Sequence, residues 1–134
     1  VLPPGDVRGL RNAAERMRSF GAHVALRAVA GPGGGSLRLS VQTEALTSIA
    51  TTYSGLKAVS AGPAGTLAAA VVAEAKVDAK RLTKAIGSLL SSDLKVAHVI
   101  LCVIPERTVV LKCALGDHES HNSIVYYIPV HYME

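Results

Sequence analysis

The sequence contains no Trp and a single Phe, so its core must be aliphatic, drawn from Val, Leu, Ile and Ala. Cysteine is nearly absent too. Cys102 and Cys113 are the only two; without a CxxC pair or a Cys quartet they cannot build a zinc site alone. No membrane-length apolar run exists, since the longest are broken by Glu74 and His98. Residues 1–20 lack the apolar centre of a secretory signal. Carboxylates are few, and those in helical stretches are isolated, so no paired-carboxylate site stands out. No Ser/His/Asp signature does either, and nothing positive points to catalysis.

What remains is an apolar chain with a modest basic excess. Apolar residues are 49% of the sequence, which places it among globular proteins rather than disordered ones. Its 134 residues suit one domain with its own core. The net charge of +4 is compatible with an anionic partner without demanding one. The chain opens on Val1 rather than Met, which reads as a fragment or a processed chain.

Residues 7–19 have helical spacing, with Val7, Leu10, Ala14 and Met17 on one stripe, Asp6 as N-cap and Gly21 as stop. The period then becomes two. Residues 22–29 and 36–43 read as strands around the glycine stretch Gly31–Gly35, and residues 46–53 as a third. Residues 54–67, rich in Gly, Ala and Ser, read as a long mobile loop. The second half of 68–77 reads as strand. Asp78 then caps a helix over 79–90, with Ala79, Leu82, Ala85, Ile86 and Leu89 on one face. Strands at 95–104, 107–115 and 123–130 follow, joined by Pro105-Glu106 and by 116–122. The order is a repeated architecture, βαβββ twice, with the first strand missing or reduced to Val1–Leu2. A hairpin turn at 105–106 sets Cys102 near Val109 and Cys113 near His98, too far apart to bridge. Two free buried thiols are expected, as in a reducing compartment.

Four features could carry function. The first helix leaves Arg8, Asn12, Glu15, Arg16 and Ser19 opposite its apolar stripe, flanked by Arg11 and Arg18. The second leaves Lys80, Lys84 and Ser88, with Arg81 at the edge. Glu15 is the sole acid on either face. One such face is usually just solvated, but two at equivalent places in a repeat favour an anionic partner. An exposed Lys–phosphate contact is worth about 1 kcal/mol or less in water, so these faces imply weak, salt-sensitive, sequence-independent binding. They hold no aromatic to stack bases. Strand 46–53 has neither charge nor Pro, the usual edge protections, so it lies inside the sheet or pairs with another chain. Asp117-His118-Glu119-Ser120-His121 resembles metal-ligand spacing but sits in a turn with no third fixed ligand, and a solvated loop is the plainer reading. Gly31–Gly35 is followed by a strand rather than a helix, with Arg38 pointing out of it, so it is a flexible hairpin loop and not a phosphate loop.

With the repeat and basic helices established, the chain resembles the C-terminal domain of the Hus subunit of the nine-one-one checkpoint clamp. The residues carrying the resemblance are Asn12-Ala13-Ala14-Glu15-Arg16-Met17-Arg18, Val77-Asp78-Ala79-Lys80-Arg81-Leu82 and, most specifically, Ser123-Ile124-Val125-Tyr126-Tyr127-Ile128-Pro129-Val130. The loops at 31–35, 54–67 and 116–122 are longer or richer in Gly and Ala than the family pattern. The N-terminal clamp domain and interdomain linker are absent.

The resemblance implies an α+β DNA-clamp (PCNA-like) domain of two βαβββ units, the C-terminal half of a two-domain subunit. It implies a non-catalytic, nuclear protein without cofactor, in a heterotrimeric sliding clamp for damage checkpoint signalling and repair. Its helices would aim Arg8, Arg11, Arg16, Lys80, Arg81 and Lys84 at double-stranded DNA. Leu46, Thr47, Ser48, Ile49, Ala50, Thr51, Thr52 and Tyr53 would form the edge that pairs with a neighbouring subunit. Val130, His131 and Tyr132 would border the docking surface for the clamp loader and for repair or checkpoint proteins. A replication clamp of the same fold is the near alternative, disfavoured by Tyr126-Tyr127-Ile128-Pro129. A metal-dependent enzyme using His118 and His121 is the alternative from another class.

Overall fold

Proline starts the first helix. In the computed structural model, which describes residues 1–31, 34–43, 47–57, 71–91, 96–115 and 123–131, α1 runs Pro4–Arg18 with Pro3 as N-cap. Pro at the first helical position loses no hydrogen bond, since that N–H has no partner inside a helix. The helix therefore begins three residues before the expected start, and Asp6 lies inside the first turn instead of capping it. There its charge still complements the positive helix end. At the other end the N–H of Gly21 donates to the Met17 carbonyl at 3.2 Å. Gly21 is needed for space: a Cβ there would lie 2.7 Å from Val41 Cγ2.

Asp78 caps α2 (Ala79–Ser91) as expected, its Oδ1 accepting the Arg81 N–H at 3.0 Å. That hydrogen bond holds the Asp78 carboxyl below its usual value. Between the helices lie β1 (His23–Gly31), β2 (Gly34–Gln42), β3 (Ser48–Leu56) and β4 (Val71–Asp78); after α2 come β5 (Val96–Ile104), β6 (Thr108–Leu115) and β7 (Ser123–Pro129). All pairings are antiparallel. The described strands make one sheet in the order β3-β2-β1-β4 and another in the order β5-β6-β7. The class is α+β, and the two βαβββ units are present. The expected first strand is reduced to Leu2, which bridges Val99 of β5. Each unit thus lends its first strand to the other's sheet, Leu2 to β5 and β4 to β1.

One core joins everything: Leu10, Ala14 and Met17 of α1, Leu82, Ile86 and Leu89 of α2, and inward residues of both sheets such as Leu26, Leu39, Val77 and Leu111. The buried Thr83 hydroxyl donates to the Ala79 carbonyl at 2.8 Å.

Several boundaries differ from the sequence reading, each for a local reason. The third strand begins at Ser48, and Thr47 before it is tied back to Thr43, its carbonyl accepting the Thr43 N–H at 2.8 Å. It continues to Leu56, so Ser54, Gly55 and Leu56 are strand and not loop. Gly55 adopts φ +68, and the register slips beside it, between Gly35 and Leu37. That is a bulge, which glycine's freedom at positive φ permits. Gly31 pairs with Gly34, so these two glycines belong to strands, and residues 32–33 of the expected loop lie outside the described residues. The β5–β6 turn holds three residues, Pro105 to Arg107, with Glu106 at φ +63. Consequently Cys102 faces Val110 and Cys113 faces Val99, each one residue from the expected partner. Both thiols are free, but Cys102 is exposed rather than buried, because Val99, Leu101 and Val103 take the inward positions of β5. Burial raises the Cys113 thiol pKa.

Candidate nucleic-acid interface

The apolar stripes of α1 and α2 are consumed by the core, and this fixes where their charged residues go. Arg8, Arg11, Arg16, Lys80, Arg81 and Lys84 are all exposed. The two helices pack on each other, and the Arg11 Nε lies 3.8 Å from where a Gly87 Cβ would sit. Arg11 therefore reaches across to α2, making the two basic faces one surface. Arg16 fans the other way, towards β3, where its charge acts on Tyr53. Arg81 and Lys84 border an open groove of about 300 Å³ between α2 and β7, floored by Ala85 and walled by Tyr126 and Tyr127. Glu15 is exposed on the same surface as the cations. Phe20, 49% exposed just beyond Arg18, is an aromatic beside this surface that the reading by helical faces passed over, because it falls after the helix end.

β3 is an edge of its sheet. Ser48, Ala50 and Thr52 are exposed, whereas Ile49, Thr51 and Tyr53 alternate with them and are half-buried. The Tyr53 hydroxyl lies 3.5 Å from the Cβ position of Gly9. Burial, then the Asp6 charge, raises the Tyr53 pKa. The edge is thus anchored on α1, and the bulge at Gly55 is its sole interruption. Leu46 lies outside the described residues, and Thr47 precedes the strand, hydrogen-bonded to Thr43.

The tail is fastened at its start. Val130 bridges Val77, the His131 N–H donates to the Lys76 carbonyl at 2.7 Å, and the His131 ring stacks on His23 with centroids 3.9 Å apart. Tyr132, His118 and His121 lie outside the described residues. Beside the tail, the outward face of the β5–β7 sheet exposes Ile104, Val125 and Tyr127 around Lys112. The nearly continuous apolar run of β5 had concealed which of its residues face outwards.

Among the described residues no helix is long and apolar enough to cross a membrane, and no group of three or more His, Cys, Asp or Glu is placed to hold a metal. No curated protein matches the chain. Compared with protein families, residues 1–131 match the one described as Hus1-like protein. Two helices over two antiparallel sheets is the architecture of a PCNA-like clamp domain. The chain belongs to the Hus1-like family, whose members are checkpoint-clamp subunits.

Proposed function

We propose that this chain is the C-terminal clamp domain of a two-domain Hus subunit, and that it helps to close a heterotrimeric ring around duplex DNA in damage signalling and repair. One observation supports this above others: an exposed cationic helix surface is combined with an uncharged, open edge strand. Six exposed cations give only weak, salt-dependent attraction to phosphates. Attraction of that size lets a protein slide, and retention must come from closure.

In this reading Arg8, Arg11, Arg16, Lys80, Arg81 and Lys84 face the duplex. Ser48 to Tyr53 add to a neighbouring subunit's sheet, with Leu46 and Thr47 leading into the contact. The opposite uncharged edge, β7, seats the other half of the same subunit. Val130, His131 and Tyr132, with the face around Tyr127, dock the clamp loader and the repair or checkpoint proteins. The protein works in the nucleus, with no reaction to catalyse and no cofactor.

The test is assembly. The intact subunit is co-expressed with the other two clamp subunits and purified. A stoichiometric ring that retains circular DNA and loses linear DNA is the expected result. Failure to form a ring would sink the proposal.

A further inference from the structure

The outer face of the four-stranded sheet points away from the helices and carries charges that the clamp reading leaves unused. Side chains alternate along each strand, and the register aligns the outward ones into rows. One row runs Thr52, Arg38, Arg27, Glu74: Arg38 is partnered with Thr52 and with Arg27, and Arg27 with Glu74. All four are exposed. Like charges directly opposite on neighbouring strands repel, so the arginine pair works against the sheet that carries it. Glu74 offsets one side of Arg27, while the other neighbour of Arg38 is a neutral Thr. The next row, Ala50, Ser40, Ala25, Lys76, is small as far as Lys76. Ala25 and Ser40 floor an open trough of about 740 Å³, walled by Gln42, Ser48 and Glu74.

We propose that this face binds an acidic peptide segment, with a carboxylate on the Arg27–Arg38 pair and its backbone over Ala25 and Ser40. Guanidinium groups grip carboxylates in a two-pronged fork, and a carboxylate between the two removes their repulsion. A peptide suits the face better than a duplex does. Opposed residues in an antiparallel pair sit about 4.5–5.5 Å apart at Cα, so the arginines make one focus of charge rather than a track for a phosphate backbone. Glu74 closes the β4 side against such a track. The small floor leaves room for an extended chain.

The test titrates the 134-residue chain into a short labelled polyglutamate peptide and, separately, a short labelled DNA duplex at low salt, reading anisotropy. Arg27→Gln with Arg38→Gln should weaken peptide binding about tenfold or more and leave the weak duplex binding unchanged. Lys80→Glu with Lys84→Glu should do the reverse. Because Arg38→Gln alone removes the repulsion and keeps the Arg27–Glu74 pair, its melting temperature should equal or exceed the parent's. Each single substitution is measured as well, so a double variant that fails to fold leaves the test standing. The proposal is overturned if the parent chain does not bind the peptide, if the arginine variants bind it as tightly as the parent, or if they lose the duplex instead.

Discussion

Lys80 occupies the first turn of α2, where unpaired backbone N–H groups and the macrodipole make the helix positive. That turn contains no acidic residue, and Lys84, one turn on, carries the same charge; both are exposed. For stability alone Lys is the wrong residue there. Lys80→Glu should gain about 0.3–1 kcal/mol from the dipole and about 0.2–0.5 kcal/mol by turning an i,i+4 repulsion into an attraction. The Asp78 carboxylate at the cap repels the new charge and trims the sum to roughly 0.5–1 kcal/mol. A domain of this size should then melt about 2–5 °C higher. DNA binding should move the other way. One phosphate contact becomes a repulsion, so the slope of log affinity against log salt for the assembled ring should fall by about 1. Thermal melting of the chain and anisotropy of the ring on duplex DNA across salt concentrations test the pair of effects together. A higher melting temperature with unaltered affinity and salt slope would refute a DNA-facing role for Lys80. A lower melting temperature would refute the helix-end argument itself.

Asp78→Ala should cost about 1 kcal/mol by removing the α2 cap, measured by urea unfolding. Because the folded-state pKa of Asp78 is lowered, its charge stabilises the protein above its unfolded pKa of about 4, and that contribution is lost as pH falls below this; Asp78→Asn should flatten that acid limb while retaining most of the cap. Gly21→Ala should destabilise by about 1–3 kcal/mol, since the new methyl meets a buried Val41 side chain at 2.7 Å; a change under a few tenths would mean the turn relaxes freely. A thiol reagent should modify Cys102 promptly in the native chain and Cys113 only on unfolding, because Cys113 is buried with a raised pKa; prompt reaction of both would contradict the β5 facing. Ser48→Lys with Ala50→Lys should leave melting unchanged, since both positions are exposed and face the neutral Gln42 and Ser40, yet impair ring assembly as judged by gel filtration.

The element order was legible because each segment states its period plainly. Val7, Leu10, Ala14 and Met17 can share a face only in a helix, and Leu37, Leu39 and Val41 only in a strand. The same patterns exposed the helix cations, since whatever the core leaves over must face water. The Asp78 cap was readable because it depends on residues three apart. What escaped was set by contacts far along the chain or by backbone choices composition does not encode. β5 is apolar on both sides, so the exposure of Cys102 awaited the pairing with β6. The bulge at Gly55 carries β3 through what reads as a loop. The stacking of His23 on His131 spans the whole chain. The Arg27–Arg38 opposition exists only once the register is known; in sequence they are two unrelated arginines in alternating strands.

The exchange of first strands between the repeats explains why such a short one suffices. β4 pairs with β1 over eight residues, whereas Leu2 meets β5 at a single bridge. Yet both do the same job, closing the inner side of a sheet whose outer side is left open. The inner end strands β4 and β5 are each tied by one bridge, to Val130 and to Leu2; the outer edges, β3 and β7, carry no charged residue within their bounds. Open, uncharged edges usually invite indiscriminate pairing. Here Pro129 ends β7, and the Gly55 bulge disrupts β3 at one end, while the Thr43–Thr47 hydrogen bonds mark the other. Each edge therefore offers a short, defined length of backbone. A partner strand must match that length and its flanking side chains, so in the clamp reading the edges discriminate among partners while the helix cations, blind to sequence, do not.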